Sequence, residues 1–430
     1  MGAALTSSRF TVLRPTALLR RVPAVNLPFC LTFLAAASIL FSIAASQIAM
    51  ALALVALLLS SERLRLPPLK APFLAIFATI LAALLLSGDP AHGLPQIRKL
   101  YVFTMVVLIV NTFRSLRQIR GLLMAWAAIG TVSALSGVEQ YFARRHTGFL
   151  EHADRLEHAS YYDFFLDDRI HGLAGHWMTF GGMQMIVLVL LAASILFDTA
   201  RRQRVAAAVC LPVIWIALVL GLTRGVFLLG APAGLLYLLG QRKRVAMLLL
   251  PAAAVPIYIA APFQVRDRLL SVIQPHGDFD SNGRRAVMLR TGWQMVRAHP
   301  WFGLGPEQIA VQFERYVPRD VPRPLPKGWY GHLHNIYLQY AAERGIPGLL
   351  AVLWFVGKPL VDFTRALRSP RVPPSAVFLL HGAIAVTLAV LAEGLVEHNL
   401  GDSEVLTMYL AAIGLGYAAL DCAGENAVCV

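Results

Sequence analysis

The chain has 430 residues, of which 57% are apolar and only 14% are charged. Soluble domains average about 45–50% apolar and 25% charged residues, so this composition excludes an ordinary soluble enzyme, a disordered protein and a disulfide-stapled secreted domain. It predicts an all-α polytopic membrane protein. The formal charge of +14 would suggest a nucleic-acid partner for a soluble protein, so its meaning depends on where the charges lie along the chain.

Twelve mostly apolar runs are candidates for membrane-spanning helices, which need about 20 residues each. The runs are 27–44, 46–60, 71–87, 100–113, 119–142, 172–197, 205–222, 225–240, 245–262, 334–357, 374–395 and 403–420. The first two runs together occupy only residues 27–60, so they form either a hairpin of two helices or one long tilted helix.

Six clusters of Lys and Arg lie between the runs and contain 20 basic residues, whereas the links that hold them contain three acidic residues. The clusters occupy residues 9–21, 63–70, 114–120, 201–204, 242–244 and 358–371. Short cytoplasmic loops collect Lys and Arg. A hairpin at 27–60 puts all six clusters on one side of the membrane, whereas a single helix would put the first cluster on the other side. We therefore expect a hairpin, twelve spans, both termini in the cytoplasm and no nucleic-acid partner.

The segment 263–333 connects the ninth and tenth runs on the opposite side and contains ten basic and six acidic residues. A loop of this length ordinarily contains helices and carries function. The sequence thus predicts four parts: spans 1–9 in residues 1–262, a loop domain in 263–333, spans 10–12 in 334–421, and a cytoplasmic tail in 422–430. Because Arg side chains pair bidentately with phosphate oxygens, the loop is expected to face a phosphate or pyrophosphate.

Within this loop, residues 284–299 are predicted to form an amphipathic helix that Ser281 or Asn282 can cap. Its apolar side chains recur at helical spacing; they are Ala286, Leu289, Trp293 and Val296. One interpretation is an interfacial helix with this face in the lipid headgroups and its arginines on lipid phosphates. The other is a helix that presents arginines to a specific anion.

Two polar positions at the ends of spans are candidates for chemistry. Arg224 is the one charge in the tight turn between the seventh and eighth runs, on the side away from the basic clusters. A lone Arg at the end of a span is ordinarily an anchor, but its side of the membrane favours a functional role. His332, His334 and Asn335 open the tenth span, and His is the usual general base near neutral pH.

Other polar groups carry weaker signals. Two histidines two residues apart do not share a helix face, so we expect no metal at His332 and His334. Glu343 and Arg344 form either a structural ion pair or a catalytic one. The loop 143–171, with four histidines and six acidic residues, is expected to be a polar lid. No nucleotide-binding motif is present, so no nucleotide or other cofactor is expected.

Several short motifs occur in order over residues 222–350. They are Thr223-Arg224-Gly225, Asn282-Gly283-Arg284-Arg285, His299-Pro300-Trp301-Phe302-Gly303-Leu304-Gly305-Pro306, His334-Asn335-Ile336-Tyr337-Leu338-Gln339 and Glu343-Arg344-Gly345-Ile346-Pro347-Gly348-Leu349. In this order and on this side of the membrane, the motifs resemble the O-antigen ligase / O-antigen polymerase superfamily.

The resemblance implies a glycosyltransferase with a polyprenyl-pyrophosphate-linked glycan as donor and the integral-membrane (GT-C-like) architecture of such enzymes. In the ligase branch, the enzyme transfers O-antigen from undecaprenyl pyrophosphate to a sugar hydroxyl of lipid A–core. This transfer takes place at the periplasmic face of the bacterial inner membrane. The resemblance also implies an inverting, metal-independent reaction that uses no cofactor.

The resemblance further implies roles for individual residues. Arg224 and Arg285 hold the pyrophosphate, with Arg284 as the alternative to Arg285, and His334 is the general base. Supporting roles fall to His332, Asn335 and Glu343.

Other functions remain open at this point. The motifs equally fit an O-antigen polymerase or a protein O-oligosaccharyltransferase with the same donor class. A transporter is the alternative outside enzymes, but the two halves of the chain show no matching pair of broken spans. The oligomeric state is left open.

Overall fold

A computed structural model describes residues 26–60, 63–151, 169–270, 272, 281–325 and 330–426. Within these ranges all regular structure is helical. The first eight helices are α1 (Leu27–Ser38), α2 (Ile43–Leu58), α3 (Lys70–Leu86), α4 (Pro90–Lys99), α5 (Thr104–Thr112), α6 (Leu116–Glu151), α7 (Trp177–Phe197) and α8 (Arg201–Leu220). The next eight are α9 (Ala231–Arg242), α10 (Leu249–Ala260), α11 (Phe263–Leu270), α12 (Ser281–Ala298), α13 (Gln308–Tyr316), α14 (Ile336–Leu367), α15 (Val377–Glu393) and α16 (Ser403–Asn426).

Each of the twelve predicted apolar runs contains a helix. Among the described residues, six helical segments are long and apolar enough to cross a membrane; they are Pro90–Thr112, Leu116–Ala143, Trp177–Phe197, Arg201–Leu220, Ile336–Leu367 and Ser403–Cys422. Shorter apolar helices are α1, α2, α3 and α15. Large apolar side chains such as Ile48, Leu85 and Val209 are more than 60% exposed on these helices, as expected of surfaces that face lipid. The protein is an all-α polytopic membrane protein, as predicted.

The first apolar stretch is a helical hairpin. Residues 39–42 turn the chain between α1 and α2, and the Ser46 hydroxyl donates to the Ala35 carbonyl at 2.8 Å across the pair. Ser42 caps α2 by accepting the backbone N–H of Ala45. The predicted hairpin is therefore confirmed over these residues, while the basic cluster at 9–21 lies outside the described part of the chain.

Several basic clusters meet at one end of the bundle, which we call the basic face. The Arg65 backbone N–H donates to Asn111 at the end of α5. Arg120 on α6 donates to Asp198, which follows α7, at 2.6 Å. These contacts place the links α2–α3, α5–α6 and α7–α8 at the same end of the molecule.

The opposite end, the loop face, carries α12 and α13 with a small core of their own. Met288, Met295, Ile309, Phe313 and Leu333 are buried there, together with Ala341 and Ala342 of α14. The loop domain thus packs directly on α14.

Helix α12 covers nearly the predicted range, but its buried stripe runs through Met288 and Met295, and the predicted residues Leu289 and Trp293 are exposed. Gly292 faces this core, where a Cβ atom would lie 2.6 Å from Leu333, and of the predicted apolar face Val296 is buried.

Candidate functional site

The candidate site lies on the loop face, where α14 begins. His334 precedes the helix with φ +47°, a left-handed conformation that costs a non-glycine residue on the order of 1–3 kcal/mol. Asn335 caps α14 by accepting the backbone N–H of Leu338 at 2.8 Å. The backbone N–H of Ile336 donates to the Gly394 carbonyl at 2.9 Å. These bonds hold His334 in its strained conformation beside the end of α15.

His334 forms a hydrogen-bonded dyad with a carboxylate. Its Nδ1 atom lies 2.7 Å from Oε1 of Glu397, and both residues are less than 10% exposed. Because an ionised carboxylate only accepts hydrogen bonds, Nδ1 of the neutral imidazole carries the proton. The Nε2 lone pair is then left to accept a proton from another group.

Glu397 is satisfied on both oxygens. Oε1 also accepts the backbone N–H of His398 at 3.1 Å, and Oε2 accepts Nη2 of Arg285 at 3.3 Å. Burial alone would raise the pKa of the Glu397 carboxyl, but the neighbouring His334 and Arg285 lower that pKa below its ordinary value. The carboxylate is therefore ionised at neutral pH, and Arg285 balances its charge.

Arg224 and Arg285 line the same cleft, which has a volume of about 510 Å³. The other lining residues are Gly225, Leu228, Leu229, Val272, Asn282 and Val396. Nη2 of Arg224 donates to Oδ1 of Asn282 at 2.7 Å, so Asn282 links Arg224 to α12. The cleft combines guanidinium groups with leucine side chains, as an amphiphile with an anionic head requires.

The sequence left open whether Arg284 or Arg285 is the motif arginine. Arg285 lines the cleft and contacts Glu397, whereas the cleft lining, taken over the described residues, does not include Arg284. The geometry favours Arg285.

His332 lies against His334, with the ring centroids 4.1 Å apart. Burial, together with the neighbouring His334, lowers the pKa of His332 to about 4, so His332 is uncharged at neutral pH. Its Nδ1 accepts the backbone N–H of His334 at 3.3 Å. This bond assigns it a supporting role in shaping the turn.

His332, His334 and Glu397 place one possible metal ligand each within 4.8 Å of one another. Both histidines precede α14 instead of lying on it, and the left-handed turn brings them together, so the expectation based on helix faces does not apply here. Zinc lies about 2.0–2.2 Å from such ligands, so binding would require the three groups to approach and the His334–Glu397 hydrogen bond to break. The arrangement as it stands is that of a hydrogen-bonded dyad.

Glu343 lies away from the cleft. It contacts the turn at residues 332–334, which we call the histidine turn, through Gln339. Its Oε1 accepts Nε2 of Gln339 at 2.8 Å, and Oε1 of Gln339 accepts the backbone N–H of Leu333 at 2.9 Å. Glu343 and Arg344 are 3.8 Å apart, and Arg344 also stacks over Tyr340. Of the two interpretations of this pair, these contacts favour the structural one.

The glycine-containing motifs form an interlock between the loop and α14. Pro347 has no N–H to donate to the Glu343 carbonyl, and Gly345 leaves the helical conformation with φ +70°. The loop supplies the missing partners: Leu304 N donates to Ala342 O at 2.8 Å, and Gly305 N to Glu343 O at 3.0 Å.

Gly303 and Gly345 lie where the loop crosses α14, and both positions require glycine because the two backbones approach closely. A Cβ atom on Gly345 would lie 2.2 Å from the Trp301 carbonyl oxygen, and one on Gly303 would lie 2.3 Å from the carbonyl carbon of Glu343. The glycines of the 299–306 and 343–349 motifs therefore mark a backbone-to-backbone contact between the loop and α14.

Sequence reasoning gave no role to Glu397 and did not single out Gln339. A signal for Glu397 existed, since Glu397 and His398 stand in a short polar link between two apolar runs, on the same side as the arginine-rich loop. The lid predicted at 143–171 falls largely on residues 152–168, outside the described residues.

Comparison with known proteins gives one result that bears on identity. A search of curated proteins found no match to this chain. The family model described as O-antigen ligase matches residues 206–353, about a third of the chain. The matched segment contains Arg224, Arg285 and His334, whereas Glu397 lies beyond it. The chain therefore carries a domain of the O-antigen ligase and polymerase superfamily, as its motifs predicted.

Proposed function

We propose that the protein is an O-antigen ligase of the bacterial inner membrane. Its donor is O-antigen on undecaprenyl pyrophosphate, and its acceptor is a sugar hydroxyl of lipid A–core. In this proposal the basic face lies in the cytoplasm with both termini, and the loop face lies in the periplasm. The observation that carries the proposal is the His334–Glu397 dyad, whose carboxylate also contacts an arginine of the amphiphilic cleft.

The reaction needs a base because a sugar hydroxyl is a poor nucleophile. Nε2 of His334 takes the hydroxyl proton while the oxygen attacks the anomeric carbon. A new C–O bond forms as the bond from that carbon to the phosphate oxygen breaks with its electron pair. Direct displacement inverts the anomeric configuration. Glu397 stabilises the imidazolium that His334 becomes, in the way a buried carboxylate supports a catalytic histidine.

The leaving pyrophosphate gains negative charge as the bond breaks. Arg224 and Arg285 are held by Asn282 and Glu397 respectively, so they need little rearrangement to stabilise that charge. Leu228 and Leu229 line the apolar part of the cleft, where the first part of the polyprenyl chain would lie. The proposed reaction is metal-independent, because the two guanidinium groups supply the positive charge.

A purified-component assay tests the proposal. The protein, lipid-linked O-antigen and lipid A–core should give a product in which the polymer is joined to core. Product with wild type and its loss in His334→Ala, with that variant retaining its fold as judged by gel filtration, would support the dyad as the catalytic centre. Unchanged turnover in His334→Ala would contradict it.

The polymerase and protein-directed alternatives share the donor chemistry and are separated in cells. Deletion of a ligase removes the long lipopolysaccharide bands while lipid-linked polymer accumulates. Deletion of a polymerase leaves core with a single repeat unit. Deletion of a protein O-oligosaccharyltransferase leaves lipopolysaccharide normal and its protein acceptor without glycan.

A further inference from the structure

Two large aromatic side chains stand exposed on the loop that enters the break in α14. Trp301 is 70% exposed and Phe302 is 51% exposed. Their backbone is fixed on both sides, because Ile346 N donates to Pro300 O at 2.8 Å and Gly303 N donates to His299 O at 3.1 Å. Rigidly presented, adjacent aromatic side chains of this size are typical of a contact surface.

The exposed patch continues along α14. Ile346, Leu350 and Trp354 are 43%, 59% and 49% exposed. They are spaced four residues apart, so they share one face of the helix. Because α14 is among the helices long and apolar enough to cross a membrane, lipid is the expected contact of this face. Trp301 and Phe302 lie at its loop-face end, next to Ile346.

A second contact of this loop, with the end of α3, indicates the depth at which the loop lies relative to the bilayer. A Cβ atom on Gly305 would lie 2.2 Å from Cβ of Ser87, the residue directly after α3. Leu86 is 62% exposed at the last turn of that apolar helix, and the polar Asp89 follows. The loop therefore crosses the bundle at the level where apolar helices end, which is where Trp side chains concentrate in membrane proteins.

We propose that Trp301 and Phe302 form a membrane-docking wedge that inserts into the lipid headgroup region beside α14. Bilayer lipid is the occupant of this surface, because the patch is continuous with the lipid-facing side of a spanning helix. The wedge fixes the height of the loop domain, and with it α12, over the bundle. The proposal depends on the membrane fold and is independent of the reaction.

Spin labels at single cysteines in lipid nanodiscs test the wedge. The background replaces Cys30, Cys210, Cys422 and Cys429 by alanine, and labels are attached at Trp301→Cys and at Phe302→Cys. Collisions with oxygen, which concentrates in lipid, are compared with collisions with a water-soluble nickel complex. Leu350→Cys is the lipid-facing reference, and Arg319→Cys, an exposed position of the loop domain, is the water-facing reference.

The labels at 301 and 302 should show an oxygen-to-nickel ratio clearly above that at 319 and below that at 350, because the headgroup region holds less oxygen and more of the nickel complex than the hydrocarbon interior. A ratio equal to that at 319 would overturn the wedge. So would dipolar broadening between labels of two chains, which would show that a second copy covers the surface. Should a label disturb folding, tryptophan fluorescence in brominated lipid answers the same question. Trp301→Phe should then lose a lipid-quenched part of the emission, and an unchanged quenched fraction would contradict the proposal.

Discussion

Nδ1 of His334 lies 2.7 Å from Oε1 of Glu397, although the two residues are 63 positions apart. The start of α14 and the end of α15 bring them together, since Asn335 donates from its side chain to the Leu395 carbonyl at 2.9 Å. The cap that begins one helix thus also positions the base against its carboxylate. Everything proposed about catalysis depends on this junction.

Replacing Glu397 by Gln should lower kcat by a factor of about 10²–10⁴, the range for loss of assisted general base catalysis. The amide keeps the size of the side chain but removes the charge that stabilises the imidazolium. KM for both lipids should change much less than kcat. The matched control is Glu314→Gln, which neutralises a carboxylate in an exposed ion pair with Arg323 and should leave turnover unchanged. A kcat near that of wild type in Glu397→Gln would remove Glu397 from the mechanism.

Arg285→Lys and Arg284→Lys form a pair that identifies the motif arginine. Arg285 lines the cleft and contacts Glu397, and lysine cannot reproduce its bidentate geometry. We expect a loss of about 10²–10³ in turnover for Arg285→Lys, as for removal of one preorganised donor. Arg284→Lys should lose less than about tenfold, because Arg284 contributes no side chain to the described cleft lining. Steady-state assays with purified lipid-linked donor measure both, and the reverse order would assign the role to Arg284.

Chelation should leave the enzyme active, whereas zinc should inhibit it. His332, His334 and Glu397 can be drawn together around a zinc ion from their spacing of 4.8 Å or less, and bound zinc would break the His334–Glu397 hydrogen bond that the reaction needs. His332→Ala should weaken zinc inhibition relative to the uninhibited rate of the same variant. Activity lost with EDTA and restored by a divalent ion would show that the proposed metal-free reaction is wrong.

The histidine turn should lose stability in acid. The pKa of His332 is about 4 in the folded protein against about 6.5 in an unfolded chain, so below pH 6.5 the unfolded chain binds a proton that the folded protein does not. Stability is therefore lost as the pH falls from 6.5 toward 4. Glu397 acts in the same direction at lower pH, because its folded pKa is depressed.

His332→Gln should remove part of this dependence, on the order of 1–2 kcal/mol between pH 7 and pH 5. Melting temperatures in detergent at the two pH values, compared between wild type and variant, measure it. Parallel pH profiles for the two proteins would exclude His332 as the source.

Two glycines of α14 should respond in opposite ways to alanine. Gly345→Ala adds a Cβ atom 2.2 Å from the Trp301 carbonyl oxygen at a positive φ, whereas Gly357→Ala adds one in open space. The first should lower the melting temperature and displace the loop. The second should raise stability by about 0.5–1 kcal/mol, the ordinary gain for replacing a glycine inside a helix. Equal melting temperatures would contradict the interlock.

Much of the fold was predictable because a membrane environment imposes a strong pattern of apolar and basic residues on the sequence. Apolar runs and basic clusters predicted the helices and the α1–α2 hairpin, since a spanning helix must be apolar over its length. Candidate site residues close to helix ends, such as Arg224 and His334, could also be selected from local sequence. Glu397 received no role because its partner, His334, lies 63 residues earlier in the chain. A contact between such distant segments leaves no mark in local periodicity.

The break at Gly345 divides α14 into a short and a long part, and the loop that carries Trp301 is bonded to both. The short part, from Ile336 to Arg344, follows His334 and the capping residue Asn335. The long part lies among the other spanning helices. Tilting of the long part as the bilayer thins or thickens would be taken up at the break. The base and its carboxylate, at the start of the short part, would then keep their mutual geometry in membranes of different thickness.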